Sequence, residues 1–297
     1  MMDFSLLGSS TLNISRIALG GMSFPSVEMG QKIIQTALEG GINLFDTADL
    51  YDKGDNERIV GKALATIRQE VFIATKVGNR WRADGSGWDW VPRKAYIMTA
   101  VEASLERLGT DYIDLYQLHG GTIEDPLEEV VEAFELLKDQ GKIRAYGISS
   151  IRPNTIRKWT ALSQGVSCMS QYSLLDRRPE EFVLGHLQQA GHGILVRGAL
   201  AKGLLAGRPA QSYLDHSADQ VANVQAEMLK QVNKEDLPGL ALAYCLRSPA
   251  VASVVLGASQ PDQISSALAA WQRVNAQDIN FPQLAEAVPF YDYTQHR

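Results

Sequence analysis

Short apolar runs alternate along the chain with longer stretches in which apolar positions recur every three or four residues. The short runs are Ile17–Gly20, Ile42–Asp46, Val71–Lys76, Tyr112–His119, Arg144–Ser149, Val166–Gln171, Gly193–Gly198 and Ala252–Gly257. They are rich in Val, Ile, Leu and Tyr, and several are apolar at nearly every position. That pattern predicts strands covered on both faces, as in a parallel sheet. The longer stretches predict helices: Glu28–Glu39, Asn56–Ile67, a segment from Pro92 to Gly109, Pro153–Ser163, Glu180–Gln189, Asp236–Arg247 and Pro261–Trp271. A further helix is expected where Asp125-Pro126 offers an N-cap and first-turn proline, Leu127, Val130, Val131, Phe134 and Leu137 follow at helical spacing, and Gly141 supplies the stop.

Strands alternating with helices predict an α/β fold, a (β/α)8 TIM barrel in one domain spanning 1–297. Phe4–Ile14 reads as an N-terminal β-hairpin turning at Gly8-Ser9. Arg208–Leu237 exceeds a normal connection and reads as a partly helical insertion. The chain after Ala276 reads as a further helix and a C-terminal extension.

Composition narrows the class. The 297 residues carry 28 Lys+Arg and 34 Asp+Glu, a net charge of −6, with 45% hydrophobic residues. That is ordinary globular composition, and a net negative charge disfavours a nucleic-acid platform. No apolar stretch is long enough for a membrane span, and the N-terminus lacks a secretory pattern. Cys168 and Cys245 lie in apolar runs without metal-ligand spacing and read as buried small hydrophobes. A cytoplasmic protein is expected.

In barrel enzymes the chemistry sits at the C-terminal strand ends. Here the second strand ends in Asp46, the third in Lys76 and the fourth in His119; Ser149, Gln171, Arg197-Gly198 and Gly257 end the others. Each alone has a bland explanation: a turn former, a solvated charge, a satisfied core histidine. Three polar residues ending three successive apolar strands would all face one mouth, and burying them unpaired would be costly. Tyr51 follows Asp46 in the same loop. A free phenol titrates near pH ~10, and an adjacent ammonium favours its ionised form. Lys76 is expected beside Tyr51, with Asp46 holding it, and His119 is expected to donate to a carbonyl oxygen and to relay a proton. This set protonates an oxygen while a hydride from a cofactor attacks its carbon.

Several longer segments carry the same residues. Asn43 to Leu64 reads NLFDTADLYDKGDNERIVGKAL; ATKVG contains Lys76; SLERLGTDYIDLYQLHG, Ser104 to Gly120, contains His119. KIRAYGISS, SQYSLLDRR, GLLAG and VVLGASQPDQI follow. On these segments the chain resembles the aldo-keto reductase superfamily over nearly its whole length. The resemblance implies a barrel that binds a nicotinamide dinucleotide, usually NADPH, with Asp46, Tyr51, Lys76 and His119 catalytic. It also implies cofactor contacts from Gly21, Met22 and Asp46, from Ser149 and Gln171 to the carboxamide, from Gly198, Ala199 and Leu200 to the pyrophosphate, and from Gly257, Ser259 and Gln263 to the adenosine end.

Some positions depart from the family pattern. Ser150 stands where relatives have Asn. Arg197 stands where many have the tyrosine that stacks under the nicotinamide; it is expected either to favour the reduced cofactor or to turn away toward a phosphate or an anionic substrate. Ser259 replaces an Arg or Lys that pairs with the 2′-phosphate, and Ser266-Ala267 replaces a Glu-Asn pair. Lys202 and Arg208 are candidate compensating cations, and NAD remains an alternative. The third βα loop, Gly78–Val91, carries Trp81, Trp88 and Trp90 and reads as a mobile lid or apolar wall for the substrate.

The leading reading is an NADPH-dependent reductase of an aldehyde or ketone. The alternatives are an NAD(P)-dependent sugar or polyol dehydrogenase and a redox-sensing regulatory subunit with slow turnover. A metal-dependent hydrolase is set aside, because the five histidines form no HxH pair and no carboxylate cluster joins them. Oligomeric state leaves no mark on the sequence.

Overall fold

The computed structural model describes residues 2–297. The chain opens with β1 (Phe4–Leu6) and β2 (Asn13–Ser15), then runs β3 (Ile17–Gly20), α1 (Val27–Glu39), β4 (Leu44–Asp46), α2 (Asp55–Leu64) and β5 (Phe72–Val77). Next come β6 (Asn79–Trp81), β7 (Trp88–Trp90), α3 (Lys94–Leu108), β8 (Ile113–Leu118), α4 (Leu127–Asp139), β9 (Ile143–Ser149), α5 (Pro153–Leu162), β10 (Ser167–Gln171), α6 (Val183–Gln189) and β11 (Gly193–Arg197). The last part holds α7 (Ala218–Gln231), α8 (Leu237–Leu246), β12 (Val251–Gly257), α9 (Pro261–Asn275) and α10 (Phe281–Glu286).

Eight strands form a closed barrel in the order β3-β4-β5-β8-β9-β10-β11-β12, and β12 returns to pair with β3. Every barrel pairing is parallel. These are the eight apolar runs of the sequence. Parallel strands must be joined by crossovers, and the amphipathic helices supply them by burying one face against the outside of the sheet. In α4 the buried face is Leu127, Val130, Ala133, Phe134 and Leu137.

Inside the barrel Ala18, Leu44, Ala74, Leu115, Ala145, Met169, Leu195 and Ala252 pack with Leu7, Leu12 and Ile14 of the β1–β2 hairpin. The hairpin therefore plugs the N-terminal end. Gly8 is needed at its turn: it has φ +56°, and a Cβ there would lie 2.2 Å from the Val166 carbonyl oxygen. Cys168 and Cys245 are both buried as free thiols. The insertion contains α7, started by a capping box at Ser217, and the tail contains α10. No helix is long and apolar enough to cross a membrane among the described residues.

The structure corrects several local expectations. Gly78–Val91 is not an irregular loop but holds the antiparallel hairpin β6–β7. Asp125 does not cap α4; its carboxylate accepts the Trp90 indole N–H and the Thr122 amide instead. The helix expected from Glu180 begins at Val183, after a separate 3-10 turn at Arg178–Glu180. The one expected from Asn56 to Ile67 ends as an α-helix at Leu64, and α9 continues past Trp271 to Asn275.

Candidate active site

Strand side chains alternate between faces with a period of two. Leu44, Ala74 and Leu115 point into the barrel, so Asp46, Lys76 and Gln117, each two residues on, point inward nearer the C-terminal mouth. The same parity carries Met169 to Gln171, Leu195 to Arg197, and Ala145 through Gly147 to Ser149. His119 follows Gln117 by two at the exit of β8. The polar strand ends converge because each continues the inward row of its own strand.

Lys76 is only 1% exposed. Its Nζ donates to Asp46 Oδ2 at 2.6 Å and to the Thr47 carbonyl oxygen at 2.8 Å, and it lies 5.1 Å from the centre of the Tyr51 ring. Burial works against the ammonium, but the Asp46 carboxylate and the Tyr51 hydroxyl outweigh it, and the Lys76 pKa lies above its ordinary value. Lys76 is a fixed cation across the neutral range. Gln117 Nε2 reaches the other Asp46 oxygen at 3.5 Å, and its Oε1 is buried without a partner.

The rings of Tyr51 and His119 meet edge to face, 5.7 Å apart at 83°. Burial first, then the positive charges of Lys76 and Arg197, push the His119 pKa down to about 3. Its Nδ1 is buried without a partner. The imidazole is therefore neutral at working pH, able to donate from one ring nitrogen and accept at the other.

A buried polar scaffold invisible to strand-end reasoning stands behind these four. Asn56 Oδ1 accepts from Thr47 Oγ1 at 2.7 Å, and its Nδ2 donates to the Gly21 carbonyl. Glu57 accepts from Thr75 Oγ1 and from Arg107 Nε, both at 2.6 Å. The neighbours of Asp46 and Lys76 are thus pinned to α2 and α3. Asp49 is buried with Oδ1 unpartnered; burial, and then the Glu57 carboxylate, hold its pKa well above the usual carboxylate range. The available sequence signal was polar residues on the buried face of a helix.

Around the rest of the mouth, Arg197 Nη1 donates to Gln171 Oε1 at 2.8 Å, and Gln171 Nε2 donates to Asp176 Oδ2 at 2.7 Å. Asp176 in turn holds Arg178. Arg197 thus braces a predicted carboxamide contact. Gly198, at φ +77°, lies against Gln171, where a Cβ would come within 3.3 Å of its side chain. The next loop turns left-handed at Ala201, Lys202 and Gly203, with Ala199 buried and Leu200 partly so. Arg208 folds back onto the Lys202 carbonyl at 3.2 Å. Gly21 is buried, Met22 is exposed, and Gly257 faces Ser23. Ser259 and Gln263 are joined: the Ser259 amide donates at 2.8 Å to Gln263 Oε1, the oxygen that also accepts from the Gln260 amide in the capping box that starts α9.

These groups fit a dinucleotide at the mouth: amide and hydroxyl side chains at the ends of β9 and β10, side-chain-free backbone beside them, and exposed cations nearby. No cluster of metal-ligating side chains exists among the described residues.

The three tryptophans part company. In hairpin register Asn79 faces Trp90 and Trp81 faces Trp88, so all four share one face. Trp90 packs over Gly78, where a Cβ would lie 2.5 Å from its ring, and its N–H goes to Asp125. Trp90 is thereby packed into the barrel rim. Trp81 bonds the Leu50 carbonyl at 3.1 Å. Only Trp88, 47% exposed, leaves a broad bare ring.

The sequence pattern of the Aldo/keto reductase family matches residues 16–288. The chain is 47% identical over 290 residues to the uncharacterized oxidoreductase YqkF of Bacillus subtilis, covering 94% of this chain and 92% of that protein. It is 32% identical to the NADH-specific methylglyoxal reductase of Escherichia coli, over 95% of this chain and 98% of that one. Among solved structures, the holo form of aldo-keto reductase AKR11C1 from Bacillus halodurans superposes with a TM-score of 0.94 at 45% identity, covering 100% of both chains. The chain belongs to the aldo/keto reductase family, oxidoreductases that act on carbonyl substrates with nicotinamide cofactors.

Proposed function

We propose that this chain reduces an aldehyde or ketone to an alcohol with NADPH, and that Tyr51 is the general acid. The observation that carries the reading is the buried Lys76 ammonium, 2.6 Å from Asp46 and 5.1 Å from the Tyr51 ring, with His119 edge-on to the same ring. Asp46 holds Lys76 charged and in place. The Lys76 ammonium stabilises the phenolate left when Tyr51 gives its proton to the carbonyl oxygen. His119, neutral, orients that oxygen by a hydrogen bond. Ser149 and Gln171 would hold the cofactor carboxamide, Gly198 to Leu200 its pyrophosphate, and Gly257, Ser259 and Gln263 its adenosine end; the bound cofactor supplies the hydride. Trp88 offers the substrate an apolar face.

Tyr51→Phe keeps the ring and removes the proton. With NADPH and an aromatic aldehyde, kcat should fall by roughly 10²–10⁴-fold while cofactor binding persists, the usual range for loss of a general acid. Turnover within a few-fold of wild type would refute the assignment.

One observation favours a second reading of the cofactor. Ser259, an uncharged residue, bonds Gln263, and Arg208 donates to the Lys202 carbonyl. The 32%-identical relative is named as NADH-specific. NADH is therefore the alternative donor, and the ratio of kcat/KM with NADPH to that with NADH decides between them.

A further inference from the structure

Tyr51 is followed by three consecutive residues in the left-handed backbone region: Asp52 at φ 47°, Lys53 at 56° and Gly54 at 93°. Only the last is a glycine. Residues with a Cβ rarely adopt this conformation, and two in succession need outside support. Arg107 lies over Gly54, where a Cβ would come within 2.6 Å of its Cδ. The other support comes from the β6–β7 hairpin. Trp81 Nε1 donates to the carbonyl of Leu50, the residue before Tyr51, at 3.1 Å. Lys53 Nζ lies 5.3 Å from the centre of the Trp81 ring and reaches over the hairpin tip at Gly85. The hairpin is itself anchored at its base, by Trp90 to Asp125 and by Tyr96 Oη to the Asn79 carbonyl.

We propose that this hairpin is a bracket that fixes Tyr51, and that Trp81 is its positioning residue, acting through the Leu50 carbonyl before the tyrosine and the Lys53 side chain after it. The role rests on Tyr51 being the acid. It differs from a substrate wall in a measurable way. A wall residue discriminates by substrate size and acts on KM; a bracket affects proton donation to every substrate and acts on kcat.

The test is Trp81→Phe, which keeps an aromatic ring and removes the N–H, together with Lys53→Met at an exposed side chain. Turnover is followed with acetaldehyde and with benzaldehyde, and each substitution is repeated in the Tyr51→Phe background. The expected result is a roughly tenfold fall in kcat for Trp81→Phe and a several-fold fall for Lys53→Met. The fall should be equal for both aldehydes, with cofactor affinity unchanged and no further loss when Tyr51 is already Phe. Wild-type kcat in both variants overturns the bracket, as does a loss confined to KM for benzaldehyde or one that persists undiminished in the Tyr51→Phe background. If Tyr51→Phe alone keeps wild-type turnover, the assignment of the acid fails, and the bracket's function with it. Should Trp81→Phe unfold, Lys53→Met decides alone.

Discussion

At the scale of single residues, His119 ties chemistry to stability. Its folded pKa of about 3 lies below the ordinary histidine value of about 6.5, so the unfolded chain takes up a proton that the folded chain refuses. The contribution is present above pH ~6.5 and is lost as pH falls toward 3, at up to about 1.4 kcal/mol per pH unit. Denaturant unfolding between pH 7 and 4 should show a shallower loss of stability in His119→Asn than in wild type; identical slopes would show that the imidazole is not held neutral. Arg197 makes a prediction about redox state. Its guanidinium braces Gln171 and adds to the positive field on His119. In the proposed cofactor pose that field would oppose a positively charged oxidised nicotinamide more than a neutral reduced one. Arg197→Ala should shift the ratio of NADPH to NADP+ affinity toward the oxidised form by about fivefold, measured by fluorescence titration. An unchanged ratio would leave Arg197 with only its bracing contact.

At the scale of elements, close helix packing depends on two glycines. A Cβ on Gly61 of α2 would lie 2.2 Å from the Leu108 carbonyl oxygen of α3, and one on Gly239 of α8 would lie 2.3 Å from the Ala270 backbone of α9. Gly61→Ala and Gly239→Ala should each destabilise the fold by about 1–3 kcal/mol, although alanine is the better helix former. Thermal unfolding checks the sign; a raised Tm would mean that the helices move apart freely. Elements of this kind also mark how far the sequence could be read. The barrel strands and the line Asp46–Lys76–His119 were legible, because strand periodicity and a polar residue closing an apolar run are local signals. The β6–β7 hairpin was not, because its tryptophans and glycines looked like loop composition and its pairing depends on docking to the rim. Nor was the grip of Asn56 and Glu57 on Thr47, Gly21 and Thr75, since nothing along the helix says which distant strand its buried polar face will meet. Asp125 looked like a cap for the same reason: its alternative partner, Trp90, is far away in sequence.

At the scale of the molecule, the two ends of the barrel have different work. The N-terminal end is closed by the hairpin residues Leu7, Leu12 and Ile14 packed on an aliphatic layer, and the C-terminal end holds the polar residues. Leu7→Ala should therefore cost about 2–5 kcal/mol of stability while kcat and KM stay within about twofold of wild type. A matching loss of turnover at temperatures where the variant is folded would mean that the plug is coupled to the mouth. The placement of the two cysteines has a separate consequence, for chemical durability. Both are fully buried, and burial pushes the Cys168 thiol up to about 12 and raises that of Cys245 further still. The nucleophile toward electrophiles is the thiolate, and neither site forms it or exposes it at neutral pH. An oxidoreductase of carbonyl substrates with this arrangement keeps both thiols out of reach of electrophiles. Native protein incubated with iodoacetamide should remain unmodified at both sites by mass spectrometry, and labelling should begin only as the barrel unfolds.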